Sequence, residues 1–347
     1  MWTKRMKYWF GTMMALLIML TGCSEPLAEE ESPDQNEQVT EENEEPEVPG
    51  SEVMLTHPLT GVETEIINKN RVIGAVINNS PAARPQSGLL EADLIYEVLA
   101  EYEVTRFVAL YQSQLPERIG PIRSARPYFV DLSDGYEAML VIHGWSPDAQ
   151  TMLTNGTTDY LNGLYYDGTL FERSSERVAP HNSYLSLNQL MEGMELEQIE
   201  LEAEVEPNVF LDNHVEVSGE SATEISVNYL ELYEVHYRFD ETKRTYYRYN
   251  EEQTVDYETG AAIELDNIFI VEAAHQILDE AGRRSVDLES GGKALLIHSG
   301  KIQEVEWVNN AGRILPIKDG EIVPFKQGQT WVNIIPDSPG LKGSVTY

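Results

Sequence analysis

The chain has 347 residues, with 24 Lys and Arg against 59 Asp and Glu, a net charge of −35 and a single Cys. This length and a hydrophobic content of 41% argue against a wholly disordered chain, a coiled coil and a multi-pass membrane protein. The negative charge argues against a nucleic-acid binder, because no Lys/Arg-rich block offsets the repulsion of phosphates. One Cys excludes an internal disulfide, a Cys-based zinc site and a CxxC redox pair.

The N-terminus has the pattern of a signal peptide over residues 1–22. Lys4, Arg5 and Lys7 precede an uncharged run over residues 8–22 that is too short for a stable spanning helix. The run ends in Leu-Thr-Gly directly before Cys23, which resembles the lipobox of bacterial lipoproteins, where this Cys is diacylated. The alternative is a buried Cys beside a signal anchor. We expect acyl chains on Cys23 to hold the protein at the outer face of the bacterial membrane.

Residues 23–54 are predicted to be an acidic disordered tether. From Ser24 to Val53 the chain has 12 acidic residues and no Lys or Arg, so this segment repels itself and has almost nothing to bury. Residues 54–347 retain 21 basic and 47 acidic residues, a net charge of −26. The Glu-rich segment 195–206 indicates a boundary near residue 210, which gives an N-terminal domain over residues 55–210 and a C-terminal domain over 211–347.

Short apolar segments in the N-terminal domain predict strands at residues 71–78, 93–99, 105–111 and 138–143. A first helix is predicted from Ser124 or Arg126 to Gly135, with Pro127 in its first turn. A second helix begins after Ser146 and ends at 155–156, and a third is capped by Asn182 or Ser183.

The C-terminal domain is predicted to be mostly β. Residues 235–239 and 245–249 have the pattern of a hairpin. Further strands are predicted at residues 267–271, 293–298, 303–308 and 330–335, separated by Gly-rich turns.

Arginine is used without lysine through the middle of the chain. No Lys occurs between Asn70 and Thr242, whereas nine Arg occur there. Arg presents a planar, multi-donor group, so this usage indicates selection for contacts with carboxylates or phosphates. An equally weighted alternative is that these Arg residues form internal ion pairs of an acidic protein.

Three polar clusters are candidates for ligand binding. Their members are Arg118, Arg123 and Arg126 in the first, His143, Ser146 and Asp148 in the second, and Arg173, Arg177, His181 and Asn182 in the third. In the first cluster, Arg123 and Arg126 lie at a predicted helix start, where backbone N–H groups also favour an anion. Alternatively, Asp131 or Asp134 supplies the negative charge internally.

The second cluster lies where a strand end meets a helix start, a common place for ligands in α/β folds, although any tight connection has this pattern. The third lies in a loop too polar for the core. Its alternative is structural, with Asn182 capping the next helix and His181 bracing Pro180.

Segments 119–128, 143–149 and 177–182 together resemble the YerB family of lipoproteins, also called the DUF3048 family. Segments 262–266 and 328–332 are similar to the C-terminal domain of that family. The resemblance covers residues 57–347 and implies an α+β fold: a mixed-sheet YerB-like N-terminal domain with helices, followed by a smaller β-rich domain. It implies no particular reaction. Trp145 departs from the pattern, since we expect a second small residue after His143, and its bulk would narrow a backbone-lined pocket.

Several envelope enzymes do not fit the sequence. An L,D-transpeptidase needs a catalytic Cys, which Cys23 does not provide, and the only Ser-x-x-Lys, at residues 290–293, has paired glycines typical of a turn. No G-x-S-x-G, H-E-x-x-H, Walker loop or dinucleotide fingerprint occurs. We therefore expect no metal and no cofactor. Glycan hydrolysis by paired carboxylates remains an alternative, with Asp131, Asp148 and Glu172 as candidates.

The sequence leaves two functional hypotheses. The favoured one is a binding or accessory protein, tethered to the membrane by a lipid on Cys23, whose Arg/His/Asp cleft holds an anionic group on a cell-wall polymer or envelope protein. The alternative is an envelope hydrolase or transferase that uses His143 or His181 with Asp148 for acid/base chemistry. No nucleic-acid partner is expected.

Overall fold

The computed structural model describes residues 55–212, 215, 217–230 and 233–347. The predicted signal peptide, Cys23 and the predicted tether up to residue 54 lie outside the described residues. Within the described ranges, no helix has both the length and the apolar character needed to cross a membrane.

Secondary structure is dominated by strands. Up to residue 212 the strands are β1 (Leu55–Thr56), β2 (Glu63–Thr64), β3 (Ile73–Asn78), β4 (Leu94–Leu99), β5 (Thr105–Tyr111), β6 (Arg118–Ile119), β7 (Met139–Ile142), β8 (Tyr160–Asn162), β9 (Glu172–Arg173) and β10 (Ser183–Ser186). The helices there are α1 (Pro127–Asp134), α2 (Pro147–Thr154), α3 (Gly163–Tyr166) and α4 (Leu187–Leu196), with a 3-10 turn at Pro81–Ala83.

After residue 212, the described residues form fifteen further strands and one helix. They are β11 (Glu220–Ser221), β12 (Glu224–Leu230), β13 (Tyr233–Asp240), β14 (Thr245–Asn250), β15 (Glu252–Gln253), β16 (Glu264–Leu265), β17 (Asn267–Ala273), β18 (His275–Ile277), β19 (Arg284–Val286), β20 (Gly292–His298), β21 (Lys301–Asn310), β22 (Arg313–Lys318), β23 (Glu321–Ile322), β24 (Thr330–Pro336), α5 (Gly340–Ser344) and β25 (Val345–Thr346). The α+β class implied by the resemblance is confirmed.

One large mixed sheet combines strands from both halves of the chain. Its order is β23-β22-β21-β20-β17-β24-β4-β5-β3-β7-β8, with β11 beside β21. The halves meet where β24 pairs with β4 in parallel, from Thr330 opposite Leu94 to Ile334 opposite Val98. The domain boundary near residue 210 stays a prediction, and the sheet is continuous across the two segments that it separates.

The large sheet is covered on both faces. A second sheet, ordered β15-β14-β13-β12-β25 with β16 beside β14, shares one apolar core with alternate residues of the central strands, such as Ile95 and Trp331. The intervening residues, such as Tyr96 and Val332, share another core with Phe129 of α1. Because both faces are buried, the central strands consist of nearly unbroken apolar runs.

Most predicted elements are present, and the third helix differs. Its predicted cap, Asn182 or Ser183, is wrong, because Ser183–Ser186 form strand β10 between β6 and β9. The helix begins at Leu187 and is capped by Ser186. Gln189 completes a capping box, since its Oε1 accepts the Ser186 N–H at 2.9 Å.

A buried ion pair joins the two sheets. Glu97 of β4 is 0% exposed and Arg248 of β14 is 1% exposed, and Arg248 Nη2 donates to both carboxylate oxygens at 3.0 Å. The carboxylate also accepts hydrogen bonds from Tyr233 Oη at 2.6 Å and Trp331 Nε1 at 3.0 Å. These four side chains come from four strands, so the pair fixes how the second sheet sits on the first.

We expect Glu97→Gln to lower the free energy of unfolding by about 3–5 kcal/mol, because it leaves the Arg248 charge buried without a counter-ion. Urea denaturation followed by circular dichroism measures this. The control is Asp159→Asn, which removes a pair to Arg71 in which Asp159 is half exposed, and a change within about 1 kcal/mol is expected there. Equal losses in the two variants would contradict the assignment.

Candidate functional site

The structure brings part of each of the three predicted clusters together. Hydrogen bonds join the first two, since the His143 N–H donates to Arg123 O at 3.0 Å and Ser124 Oγ donates to His143 O at 3.0 Å. The loop of the third cluster is attached by the Ile122 N–H, which donates to Ser183 O at 2.7 Å. The chain segments after β6, β7 and β9 therefore meet at one edge of the fold.

His143 is held in one tautomer. Arg173 Nη2 lies 2.8 Å from His143 Nε2, and because a guanidinium only donates, Nε2 must be the unprotonated nitrogen. The proton is then on Nδ1, which lies 2.8 Å from Ser183 Oγ and donates to it. Partial burial lowers the pKa of His143, and the positive charge of Arg173 lowers it further. His143 is thus a neutral imidazole near pH 7.

Gly163 makes room for this imidazole. A Cβ on Gly163 would lie 2.2 Å from His143 Nδ1, so only glycine fits against the ring. The preceding residue, Asn162, fixes the two loops to each other, because its Oδ1 accepts the N–H groups of Gly144 and Leu164 at 3.0 Å each. The start of α3 therefore positions the ring of a residue that follows β7.

Arg173 links the histidine to an acid and an amide. Its Nε and Nη2 donate to the two carboxylate oxygens of Asp167 at 2.8 and 3.0 Å. Its Nη1 donates to Asn182 Oδ1 at 3.3 Å. Asn182 therefore accepts a hydrogen bond from Arg173, which differs from the helix-capping role considered in the sequence analysis.

His181 is also oriented by an amide. Asn78 Nδ2 lies 2.7 Å from His181 Nδ1, and the Ser80 N–H donates to Asn78 Oδ1 at 3.0 Å. The second bond fixes the amide with its NH2 group toward the ring, so His181 accepts at Nδ1 and carries its proton on Nε2. Burial lowers the pKa of His181, as do the nearby charges of Arg123 and Arg177.

Arg123 is the unpaired member of this group. Its side chain is half-buried, and its Nε is buried without a hydrogen-bond partner among the described residues. No ion pair to this guanidinium is found in the described part of the chain. Its charge reaches both imidazoles, since it lowers the pKa of His143 and of His181. We call Arg123, His143, Arg173, His181 and Asn182 the Arg/His cluster.

The Arg/His cluster is positive at neutral pH in an acidic protein. Arg123 and Arg173 are charged, both imidazoles are neutral, and Asp167 provides one countercharge. The sequence analysis did not identify four residues as part of this site: Asn78, Asp167, Gly163 and Ser183. The Asp-Gly dipeptide at 167–168 is a turn signal, and nothing local indicates that its carboxylate reaches Arg173.

Arg126 belongs to a different environment. Together with Arg106 it binds the carboxylate of Glu101, and its Nη1 donates to Ala125 O at 2.6 Å. The sequence alternative of Asp131 or Asp134 as the internal partner is wrong, because Glu101 provides that charge.

Ser146 and Asp148 line a pocket of about 380 Å³ on the Arg126 side, which Asp131 also lines. Ser146 caps α2 by accepting the Ala149 N–H at 3.4 Å, and Asp148 is exposed. The hydrogen bonds of His143 go to Ser183 and Arg173 rather than to Asp148. Burial raises the pKa of Asp131 to about 6.

Arg118 and Arg177 make structural contacts. Arg118 binds Glu172 at 2.5 Å and Glu258 at 3.1 Å, and it lies over the ring of Tyr184 at 4.1 Å. Arg177 donates to three carbonyl oxygens, those of Ala82 at 3.0 Å, Arg84 at 3.2 Å and Pro85 at 2.5 Å. Arg177 therefore clamps the loop that follows β3.

Trp145 packs against two tyrosine rings. Its ring makes edge contacts with Tyr160 and Tyr165, with centroid distances of 5.5 and 5.9 Å. Among the described residues, no group of three or more His, Cys, Asp or Glu side chains is arranged to hold a metal ion.

The histidine pKa values give a test of this geometry. We expect Arg173→Gln to raise the pKa of His143 only, Arg177→Gln to raise that of His181 only, and Arg123→Gln to raise both, because each variant removes a positive charge that disfavours protonation. NMR titration of histidine-labelled protein measures these shifts. Identical responses of the two histidines to Arg173→Gln would contradict the assigned contacts.

Comparison with known proteins identifies the family. Residues 59–200 match the family described as "Protein of unknown function (DUF3048) N-terminal domain", and residues 225–332 match its C-terminal domain. The "Putative lipoprotein YerB" of Bacillus subtilis (strain 168) is 45% identical over 297 residues, 84% of this chain and 89% of the relative. A crystal structure of the YerB protein from Bacillus subtilis matches with a TM-score of 0.79 and 44% identity, covering 84% of this chain and 100% of that chain. The resemblance seen in the sequence is confirmed, and the chain belongs to the DUF3048 family.

Proposed function

We propose that this protein is a membrane-tethered binding protein of the bacterial cell envelope, and that its Arg/His cluster holds an anionic group. The tether and anchor are inferred from the lipobox at Cys23 and the acidic run that follows it. The name of the Bacillus subtilis relative, "Putative lipoprotein YerB", supports the anchor. The ligand group belongs to a cell-wall polymer or an envelope protein.

The observation that carries this proposal is the unpaired guanidinium of Arg123. Half-burial has already removed part of the water from a guanidinium that has no counter-ion. An incoming carboxylate or phosphate offsets this loss of hydration through charge-assisted hydrogen bonds. Every other Arg of the three predicted clusters has a carboxylate or carbonyl partner within the described residues. Arg123 is therefore the group that a ligand would complete.

The neighbours of Arg123 suit an anion. His181 has its proton on Nε2, which donates to no partner among the described residues, and the guanidinium of Arg173 is held in place by its ion pair with Asp167. Fixed donors of this kind bind an anion without a large ordering cost. Because the rest of the chain is strongly acidic, the positive group also gives a ligand one preferred place to bind.

The alternative, an envelope hydrolase or transferase, has weaker support. His143 Nε2 already accepts a hydrogen bond from Arg173, so it would have to break that bond to act as a general base. Asp148 is exposed on α2 and lines the pocket of Arg126 instead. A binding role needs none of these rearrangements.

We expect Arg123→Gln to abolish capture of the anionic ligand. The variant should still unfold cooperatively, because the Arg123 side chain makes no hydrogen bond within the described residues. Thermal-shift measurements on the full-length protein in detergent check this with four probes: muropeptides, teichoic-acid fragments, sugar phosphates and simple carboxylates. A rise in melting temperature is expected for wild type only.

The control is Arg238→Gln. Arg238 is exposed, and its guanidinium carbon lies 4.9 Å from the ring centroid of Tyr249 on β14. This variant should respond to the probes like wild type. An equal shift in Arg123→Gln and wild type would refute the binding role of Arg123. A response to none of the four probes by wild type would also count against the proposal.

We expect Cys23→Ala to release the protein from the membrane fraction, because the side chain that carries the acyl chains is lost. Fractionation of cells and mass spectrometry of the mature N-terminus check this. The control is Ser24→Ala, which leaves Cys23 in place and should remain membrane-bound and acylated. Membrane retention of Cys23→Ala as an acylated protein would contradict the assignment.

A further inference from the structure

One polar pocket has no residue of the Arg/His cluster in its lining. It has a volume of about 250 Å³ and is lined by the loop that follows β3 and by the turn between β14 and β15. Its lining includes Asn79, Arg84, Arg248, Asn250 and Glu251. The pocket thus lies where residues from the two halves of the chain meet.

Two lining side chains have buried polar atoms without partners. Arg248 is 1% exposed, and its Nε has no hydrogen-bond partner among the described residues. Asn250 Oδ1 is likewise buried and unpartnered there, although the amide nitrogen of the same side chain donates to Glu234 O at 2.6 Å. Buried polar atoms are nearly always paired in native proteins. Two of the residues that line this pocket therefore carry an unfulfilled donor and an unfulfilled acceptor.

The loop that carries Arg84 is held rigid. Arg84 Nη2 donates to Asn79 O at 2.8 Å, and Arg84 Nε to Asn79 Oδ1 at 3.1 Å. Arg177 clamps the same loop from outside through the carbonyl oxygens of Arg84 and Pro85. The Nη1 group of Arg84 makes no hydrogen bond within the described residues, so it remains available to a ligand. The clamp keeps that group in place before a ligand arrives.

The lining of the pocket carries charges of both signs. The charge of Arg248 is neutralised by Glu97, whereas the paired contacts of Arg84 are with neutral groups. Glu251 is close enough to Arg84 for its charge to favour the protonated guanidinium. Glu251 and Glu252 are exposed at the turn. A ligand would therefore meet guanidinium donors together with amide and carboxylate acceptors.

We propose that this pocket binds a free α-amino acid, with its carboxylate on Arg84 and Arg248 and its ammonium group on Asn250 and Glu251. Only a free amino acid carries both charges on one carbon, which matches a pocket with donors and acceptors this close together. The volume is below the roughly 300 Å³ at which sites for drug-sized ligands begin, so the ligand is small. The site uses none of the Arg/His cluster residues, and the two proposals can fail independently.

Isothermal titration of the full-length protein in detergent tests this site with glycine and with L- and D-alanine. Alaninamide, N-acetylalanine and the dipeptide Ala-Ala are the comparison probes, because each lacks one charge or separates the two. We expect heat of binding with at least one free amino acid and about tenfold or weaker binding of all three comparison probes. Equal binding of alaninamide, or no binding of any free amino acid, overturns the proposal.

Two variants locate the binding. Arg84→Gln and Glu251→Gln should each weaken the amino acid at least about tenfold, whereas Arg238→Gln, on the neighbouring strand β13, should bind like wild type. Glu251 is exposed, so its variant tests the ammonium end even if Arg84→Gln fails to fold. Wild-type affinity in a folded Glu251→Gln protein overturns the assignment of that end.

Discussion

The structure depends on the placement of one carboxylate between two sheets. Glu97 lies in the middle of an apolar strand and is completely buried, so its charge would be very costly without the guanidinium of Arg248. Tyr233, Trp331, Thr105 and Asn79 also donate hydrogen bonds to this carboxylate. A buried pair of this kind is weak evidence of extra stability. It does constrain the relative position of the two sheets, because a shift of either sheet would break several hydrogen bonds at once. It therefore defines how the parts of the chain assemble.

Both polar sites are connected with this assembly through shared residues or loops. Arg248 contributes its carboxylate contact to the sheet junction and its unpartnered Nε to the pocket of Arg84. Arg177 connects the same loop with the segment that carries His181. The Arg residues thus have three separate uses: ion pairs such as Arg126 with Glu101, a carbonyl clamp at Arg177, and the unpaired charge of Arg123. The internal ion pairs weighed from the arginine-rich composition are present at Arg118, Arg126 and Arg173, and the ligand-binding alternative stays a proposal for Arg123.

Much of the fold could be predicted from local patterns. Apolar runs located the central strands, and Pro127 and Pro147 at first helical positions located α1 and α2. The start of the third helix could not be predicted correctly, because Ser183 and Ser186 are equally good caps and only pairing of the intervening residues with β6 and β9 decides between them. For the site, the sequence identified His143 and Arg173 but not the contact between them, which spans thirty residues of chain.

The sequence by itself determined the family motifs, the resemblance of the segment before Cys23 to a lipobox, the acidic composition and the positions of most strands, because these follow from residue type and short-range periodicity. Tertiary structure alone decided which charges are paired. Glu101 neutralises Arg126, Asp167 neutralises Arg173, and Arg123 is left without a counter-ion among the described residues. The reason is physical: an ion pair depends on a separation of a few ångströms between atoms, and only the folded chain brings residues this distant in sequence to such separations.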